Sequence, residues 1–333
     1  MIGHFFSKRY AYCGFLLLML WPSVEFKATL GAISVKHAHD PVLMDTAETG
    51  QFSVLTYNIA GLPEIISSAQ TERASSIAEI GKRLNRFDIV HVQEDFHYNN
   101  ELYLSGNAHP YRSESKGSIP FGDGLNTLSR YPLSAIERIS WDDCTGADCL
   151  TPKGFTFSRV QIGKGLFIDL YNIHSNAFND PEAAAARRKN IEQLSTFIKE
   201  NSGGNAVIVM GDLNGRYHFS SDNIQELLIE NSLRDAWVML ENEGRLPAAS
   251  PRIPPRDILN ITEKMESIDK IMFRSSDALE LFPAEYALQS ELFEDQSGKP
   301  LSDHLPVGLT FNWKLKEEKR SFQYVTNTVS RQP

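Results

Sequence analysis

Hydrophobic and polar positions along the chain fall into short blocks whose period changes repeatedly. Phe52–Ile59 combines β-rich composition with alternation, which predicts a strand. Over residues 71–86 the period lengthens, and Ile77, Ile80 and Leu84 share one face of a predicted helix that Gly81 weakens slightly. Asp88–Gln93 returns to strand character, as do Leu125–Leu128, Phe155–Ile162 and Leu166–Ile173. The last two are joined by Gly163-Lys-Gly165, a turn suited to a hairpin. Asp180 followed by Pro181 marks a helix start, an N-cap residue and then proline in the first turn. Ile191, Leu194, Phe197 and Ile198 form that helix's buried stripe, and Asn201–Gly204 stops it. Ala206–Met210 is a continuous apolar run, the pattern of a strand covered on both faces. Ile268–Phe273 and Val307–Trp313 are further strands.

No internal repeat and no linker divides these blocks. At 333 residues the chain is long for one domain, but a large α/β sandwich can bury that much around one core. The pattern predicts an α/β fold: a two-layer β-sandwich flanked by helices, over residues 51–313. Only the ends depart from it. Lys8 and Arg9 precede an apolar run from Tyr10 to Trp21, too short to span a bilayer, and small residues follow at 28–32. Residues 1–32 therefore read as a signal peptide and the protein as secreted. Residues 33–50 form a polar lead-in, and 314–333 a charged, then polar, disordered tail.

Charge and cysteine usage sharpen this picture a little. The net charge of −9 disfavours nonspecific nucleic-acid binding unless a local basic groove exists, and no Lys/Arg stripe interleaved with aromatics is evident. Beyond the leader only Cys144 and Cys149 remain, separated by turn residues. In an oxidising compartment they are expected to close a short loop.

The chemistry-bearing residues lie where apolar strands give way to loops. Asn58 ends the first strand and Glu94 the second; a carboxylate there suits a hard cation such as Mg²⁺. His174 ends another strand and, as an imidazolium, can hold a phosphate oxygen. The sharpest signal is Val-Ile-Val-Met-Gly-Asp-Leu-Asn, ending at Asn214. In an extended segment Asp212 and Asn214 point the same way, the first to orient or deprotonate a water and the second to donate to a phosphoryl oxygen. Asp269 follows Ser-Ile, and Asp303-His304 precede the last strand. A histidine beside a carboxylate is the usual arrangement of a general base. Because neighbouring side chains on a strand point apart, the partner of His304 is open among Asp303, Asp269 and Asp212.

Taken in order, Asn, Gln-Glu, Asn-x-His, Gly-Asp-x-Asn, a single Asp and Ser-Asp-His-x-Pro-Val closely resemble the endonuclease/exonuclease/phosphatase superfamily, from about Phe52 to Trp313. That superfamily includes deoxyribonucleases, inositol polyphosphate 5-phosphatases and neutral sphingomyelinases. The resemblance implies a deoxyribonuclease-like four-layer sandwich and a divalent metal, Mg²⁺ with Mn²⁺ or Co²⁺ as alternatives, activating a water. It makes Glu94 the main metal ligand with Asn58 nearby, and Asp303 a further metal or supporting carboxylate. Asp212 and Asn214 would position water and phosphate, His174 would contact phosphate, His304 would be the base and Asp269 its support.

Asp148-Cys-Leu-Thr-Pro-Lys-Gly-Phe resembles the Lys-Gly stretch of the neutral sphingomyelinase branch, as do Arg187 and Arg188 in their helix. This implies phospholipase C-like cleavage of a sphingomyelin-type head group at a phospholipid membrane surface, with no protein partner. Lys153 itself reads equally as a substrate contact or a solvated turn lysine. Aromatics in Leu281–Tyr286 and Glu291–Phe293 read as ordinary core or hairpin packing, with insertion at a lipid interface as the alternative. The alternatives are a secreted nuclease acting on nucleic acid through the same site and, ranked lower, an inositol-phosphate phosphatase.

Overall fold

Strands form wherever the apolar blocks alternate or run on in the computed structural model, which describes residues 47–255 and 257–316. In chain order they are β1 (Thr49–Asn58), β2 (Ile89–Gln93), β3 (Tyr111–Arg112), β4 (Asn126–Ser129), β5 (Leu133–Ser140) and β6 (Gly154–Gly163). β7 (Leu166–His174), β8 (Ala206–Asp212), β9 (Arg234–Asp235), β10 (Asp269–Arg274), β11 (Leu279–Leu288) and β12 (Val307–Leu315) follow. The helices are α1 (Arg73–Arg83), α2 (Asn99–Leu104), α3 (Pro181–Asn201), α4 (Ile224–Asn231) and α5 (Ala236–Leu240). The expected leader of residues 1–32 lies outside the described residues, as do most of the lead-in and the tail beyond Lys316.

The strands make two six-stranded sheets, ordered β11-β12-β1-β2-β4-β3 and β5-β6-β7-β8-β10-β9. Each has one central parallel pair, β1 with β2 and β7 with β8, flanked by antiparallel neighbours. Parallel neighbours need a crossover, and α1 and α3 supply the two. This is the two-sheet α/β sandwich expected from the pattern.

Each crossover helix is set by local chemistry. α3 starts where Asp180 accepts a hydrogen bond from the Ala183 amide at 3.0 Å, with Pro181 in the first turn. Its Ile191, Leu194 and Ile198 are buried, and Phe197 lies edge-on to Phe155 at 5.1 Å. Ile77 and Ile80 of α1, and Leu84 just beyond it, are all fully buried, worth roughly 1.5–3 kcal/mol each. Gly81, read as a weakness of this helix, is a packing requirement: a Cβ there would stand 2.1 Å from the Leu102 carbonyl oxygen of α2. The main core fills the space between the sheets, with Phe52, Leu170, Val209, Phe273 and Phe311 among its members.

Several elements were invisible in the apolar pattern. β5 is mostly exposed, so alternation does not mark it. β12 continues through Lys314 to Leu315, opposite Thr49 and Glu280, so the last strand runs past Trp313 into the segment read as tail. Backbone pairing with two neighbours, rather than side-chain burial, carries it there. The aromatics of 281–293 are not on an exposed loop. β11 pairs with β12 along its length; Leu281, Tyr286 and Phe293 are buried, and Phe293 meets Tyr57 edge-on at 4.9 Å. Only Phe282 is exposed, with Lys314 over its ring.

Polar side chains also cross the dry interior. His91 of β2 is fully buried and its Nδ1 lies 3.2 Å from the Met210 carbonyl oxygen of β8. Gln93 donates to Asn172 at 2.7 Å, and Asn172 donates to the carbonyls of Val92 and Asn126. Burial drives the proton off His91, down to about 3. Its unfolded value is near 6.5, so between pH 6.5 and 3 the unfolded chain binds the extra proton. The stability His91 contributes is therefore full above pH 6.5 and lost as pH falls towards 3, by up to about 1.4 kcal/mol per pH unit. Urea denaturation at pH 7 and pH 5 is expected to show a smaller acid loss for His91→Gln than for the parent chain. Equal losses would remove His91 as the source.

Candidate active site

The strand registers bring one set of polar ends to one edge of the sandwich. Asn58 stands beside Gln93 in the first sheet, and Asp212 pairs with both His174 and Asp269 in the second. Asn58 joins the two sheets: its Nδ2 donates to Glu94 Oε1 at 3.0 Å and to Asp212 Oδ2 at 3.2 Å. Its Oδ1 accepts from the Ala60 amide at 3.1 Å, which fixes the side chain.

Glu94 reaches this edge by a backbone reversal. The strand alternation ends at Gln93, and Glu94 adopts a left-handed conformation with φ of 57°. Such a conformation costs a non-glycine residue roughly 1–3 kcal/mol. Close approach makes it feasible: a Cβ at Gly61 would lie 2.3 Å from the Glu94 carbonyl oxygen, and one at Gly124 would lie 3.0 Å from its Cα. The next carboxylate, Asp95, turns the other way and accepts from Tyr103, Asn99 and Asn126.

His304 finds its partner across the second sheet. Its Nδ1 is 3.0 Å from Asp269 Oδ2, and its Nε2 is 3.6 Å from Asp212 Oδ2. Asp303 makes no hydrogen bond to it, because adjacent side chains diverge. Ser302 donates to the Asn58 carbonyl at 2.7 Å, and Arg73 donates to the carbonyls of Ile59, Ala60 and Leu301. These bonds hold the His304 loop against the end of β1. Nothing in the sequence singles out Arg73, since its role depends on three carbonyls brought together only by folding.

Two expectations are corrected. Asp212 and Asn214 are not on one extended segment: β8 ends at Asp212, and Asn214 is left-handed with φ of 50°. Its amide donates to Asp212 Oδ1 at 2.9 Å and its Nδ2 to the Ser175 carbonyl at 3.2 Å, a local turn that competes with strand continuation. Asn214 still lines a cavity of about 250 Å³ together with His304, Phe178, Asn179 and Arg216. For His174 the surroundings disfavour the imidazolium. Burial first, then Lys153 and His304, hold its pKa well below the usual range. Its Nε2 is 3.4 Å from Asp212 Oδ2.

The electrostatics call for positive charge. Burial and the charge of Asp303 both raise the Glu94 carboxyl, against the pull of Lys153. Asp212 is raised by burial and Asp269, with His304 opposing. Burial alone would strip the proton from His304, but Asp269 and Asp212 outweigh it and push its pKa up. Asp212, Asp269 and His304 each offer a ligand atom within 4.8 Å of the others. Asp269 Oδ1 is buried with no hydrogen-bond partner among the described residues. This buried acidic and histidine set suits a divalent cation, since hard carboxylate oxygens are what such ions take.

Lys153 faces the same cluster. It is ion-paired to Asp148 at 2.7 Å, and Asp148 also accepts from the Ala177 amide at 2.6 Å, next to Phe178. The pair is largely buried, so the lysine is no solvated turn residue. Cys144 and Cys149 are joined in a disulfide that closes this loop. Arg187 and Arg188, by contrast, are structural. Arg187 is fully buried against Asp222 at 2.6 Å and the carbonyls of Asn176 and Phe178, and Arg188 donates to the Ser221 carbonyl.

Comparison with known proteins places this geometry among relatives. Residues 56–251 match Endonuclease/Exonuclease/phosphatase family 2, a span that ends before Asp269 and His304. The chain is 35% identical over 307 residues to the sphingomyelinases of Mycobacterium bovis and Mycobacterium tuberculosis. That match takes in 87% of this chain but only 60% of theirs. Among solved structures, sphingomyelinase C from Streptomyces griseocarneus superposes with a TM-score of 0.56 at 19% identity, covering 78% of this chain and 99% of that one. Beta toxin from Staphylococcus aureus gives 0.54 at 16%, covering 78% and 99%. D. rerio TDP2 complexed with a single-strand DNA product gives 0.53 at 18%, covering 78% and 98%. At these identities the likeness is one of fold.

Closure of the Cys144–Cys149 loop constrains mainly the unfolded chain. Replacing both cysteines by serine is expected to lower the unfolding free energy by about 2 kcal/mol, read by urea denaturation. An unchanged midpoint would show that the bridge does not contribute.

Proposed function

This chain belongs to the endonuclease/exonuclease/phosphatase family, and from that premise we propose that it is a metal-dependent phosphodiesterase cleaving a sphingomyelin-type head-group ester. The observation that carries the proposal is the meeting of Asn58, Glu94, Asp212, Asp269 and His304 at one edge, from both sheets, within hydrogen-bonding range. The lipid assignment draws support from the 35% identity to mycobacterial sphingomyelinases, of whose length the chain spans 60%. It draws further support from Lys153, a buried cation facing the cluster.

In this reading Asp269 orients His304 through Nδ1 and leaves Nε2 towards Asp212. Glu94, with Asn58 and Asp303 alongside, would hold Mg²⁺, which supplies positive charge to the phosphoryl oxygens as negative charge builds there. Such a cation would supply positive charge that these carboxylates otherwise draw from the His304 imidazolium, and His304 Nε2 is the atom that accepts a proton from the attacking water. Neutral His174, Asn214 and Lys153 meet the phosphoryl oxygens. The water oxygen bonds to phosphorus, the bond to the lipid oxygen breaks, and that oxygen takes up the proton that His304 accepted from the water, releasing phosphocholine and the lipid alcohol. The reading also includes export, with residues 1–32 as the signal peptide, which accords with the Cys144–Cys149 bridge because such bonds persist in oxidising compartments.

Incubated with Mg²⁺, the protein is expected to release phosphocholine from sphingomyelin in detergent micelles. His304→Ala should lower the rate at least about a hundredfold, and EDTA should abolish it. A parallel plasmid arm is expected to stay intact; cleaved DNA with intact lipid would establish the nuclease reading instead. Saturating Mg²⁺ should also stabilise the fold, by about 2.7 kcal/mol at a hundredfold excess over Kd, read as a raised melting temperature. Glu94→Gln should remove that gain, and an unshifted parent chain would count against a cation at this edge.

A further inference from the structure

Glu94 reaches the catalytic edge through a left-handed backbone turn that glycine adopts readily and other residues rarely. Its carboxylate stands beside Asn58 only while that turn is kept. On the β2 side the turn is anchored by strand pairing, with Gln93 opposite Asn58. On the other side the anchor is a side chain. Asp95 is 1% exposed, and its carboxylate accepts from Asn99 Nδ2 at 2.6 Å, from Asn126 Nδ2 at 2.6 Å and from the Tyr103 hydroxyl. Its amide donates to the Gly124 carbonyl at 3.0 Å.

These donors belong to separate elements, and one of them leads on to the second sheet. Asn99 and Tyr103 lie on α2, while Asn126 opens β4. Asn126 is itself fixed through Oδ1, which accepts from the Ser113 hydroxyl at 3.0 Å and from Arg138 Nη2 at 2.7 Å. Arg138 belongs to β5, the edge strand of the second sheet. Its Nη1 donates to Asp123 Oδ1 and to the Leu125 carbonyl, both at 2.7 Å. A line of hydrogen bonds thus runs from that edge through Arg138, Asn126 and Asp95 to the peptide that follows Glu94. An apolar residue at position 95 would be buried without the solvation cost of a carboxylate. What the carboxylate adds is direction, because its donors fix its orientation and that of the backbone beside it.

We propose that Asp95 is a positioning residue of the cation site: with Asn126 and Arg138 it locks the Glu94 turn and so sets the affinity for a divalent cation. The proposal rests on the reading of Glu94 as the residue that holds Mg²⁺. A group that orients a ligand changes metal affinity when it is removed, typically by tenfold or more. Asp169 offers the contrast. It is an equally buried aspartate, bonded by Arg159, Ser202 and Asn205, but it sits near the start of β7, whose far end carries His174.

The Kd for Mg²⁺ is measured by isothermal titration calorimetry on chains freed of metal, and the melting temperature in EDTA reports the fold separately. Asp95→Asn should raise the Kd at least about tenfold. Tyr103→Phe, which removes one donor and leaves the carboxylate, and Arg138→Gln should each raise it by a smaller factor. Asp169→Asn should lower the melting temperature in EDTA and leave the Kd as it was. An unchanged Kd in Asp95→Asn, or an equal rise in Asp169→Asn, would overturn the proposal. Should Asp95→Asn not fold, Tyr103→Phe decides, a raised Kd supporting the lock and an unchanged one removing it. A parent chain that takes up no Mg²⁺ would overturn the cation reading and the lock together. A parent that binds, loses binding in Glu94→Gln and keeps it in Asp95→Asn would overturn the lock alone.

Discussion

Two sheets can exclude water between them only if the polar groups where their strands end find partners, and here those partners lie across the sandwich. The Asn58 amide is the pivot, donating to Glu94 from its own sheet and to Asp212 from the other. His91 with Met210 and Gln93 with Asn172 continue the same bridging inward. Each is a buried donor or acceptor that would cost roughly 1–3 kcal/mol if left without its partner. The relative placement of the sheets, and so of every residue at the site, is set by these pairings more than by the non-directional apolar packing around them.

That constraint has an electrostatic consequence. Pairing the strand ends crowds Glu94, Asp212, Asp269 and Asp303 into a small, mostly dry region. Such a cluster is unstable without positive charge, and the molecule supplies some of its own: His304 between two aspartates, and Lys153 tethered by Asp148. Buried arginines do the complementary structural work. Arg73 gathers the loops after β1 and before β12, and Arg187 gathers those after β7 and β8. A carboxylate cluster held open by such scaffolding is ready to take a cation without rearranging, which is the condition for strong stabilisation of developing charge.

The loops that close this edge face two demands. Their inner residues must hold the site, while their tips lie open to solvent. The bury-or-expose decision differs sharply along them: Asp148 is buried and paired while Leu150, two residues on, is open to solvent. Tethers such as Asp148 to Ala177 let a tip stay exposed without the loop collapsing onto the core.

By itself the sequence determined the layers and the strand-end polar residues that meet at one edge. Period-2 and period-3.6 stretches are local signals, and the Asp180-Pro181 helix start was readable because capping needs only near neighbours. The strand-end polar residues were legible for the same reason: each interrupts an apolar run. Tertiary structure decided everything that depends on pairing between distant segments. It chose Asp269 over Asp303 as the partner of His304, turned Glu94 inward through a left-handed kink between two glycines, and kept His174 neutral by burying it. It settled the 281–293 aromatics as core and hairpin packing, because β11 completes an edge of the first sheet. Hydrogen-bond partners and solvent exposure are properties of neighbours in space, and the neighbours that matter here are separated by up to 246 positions along the chain.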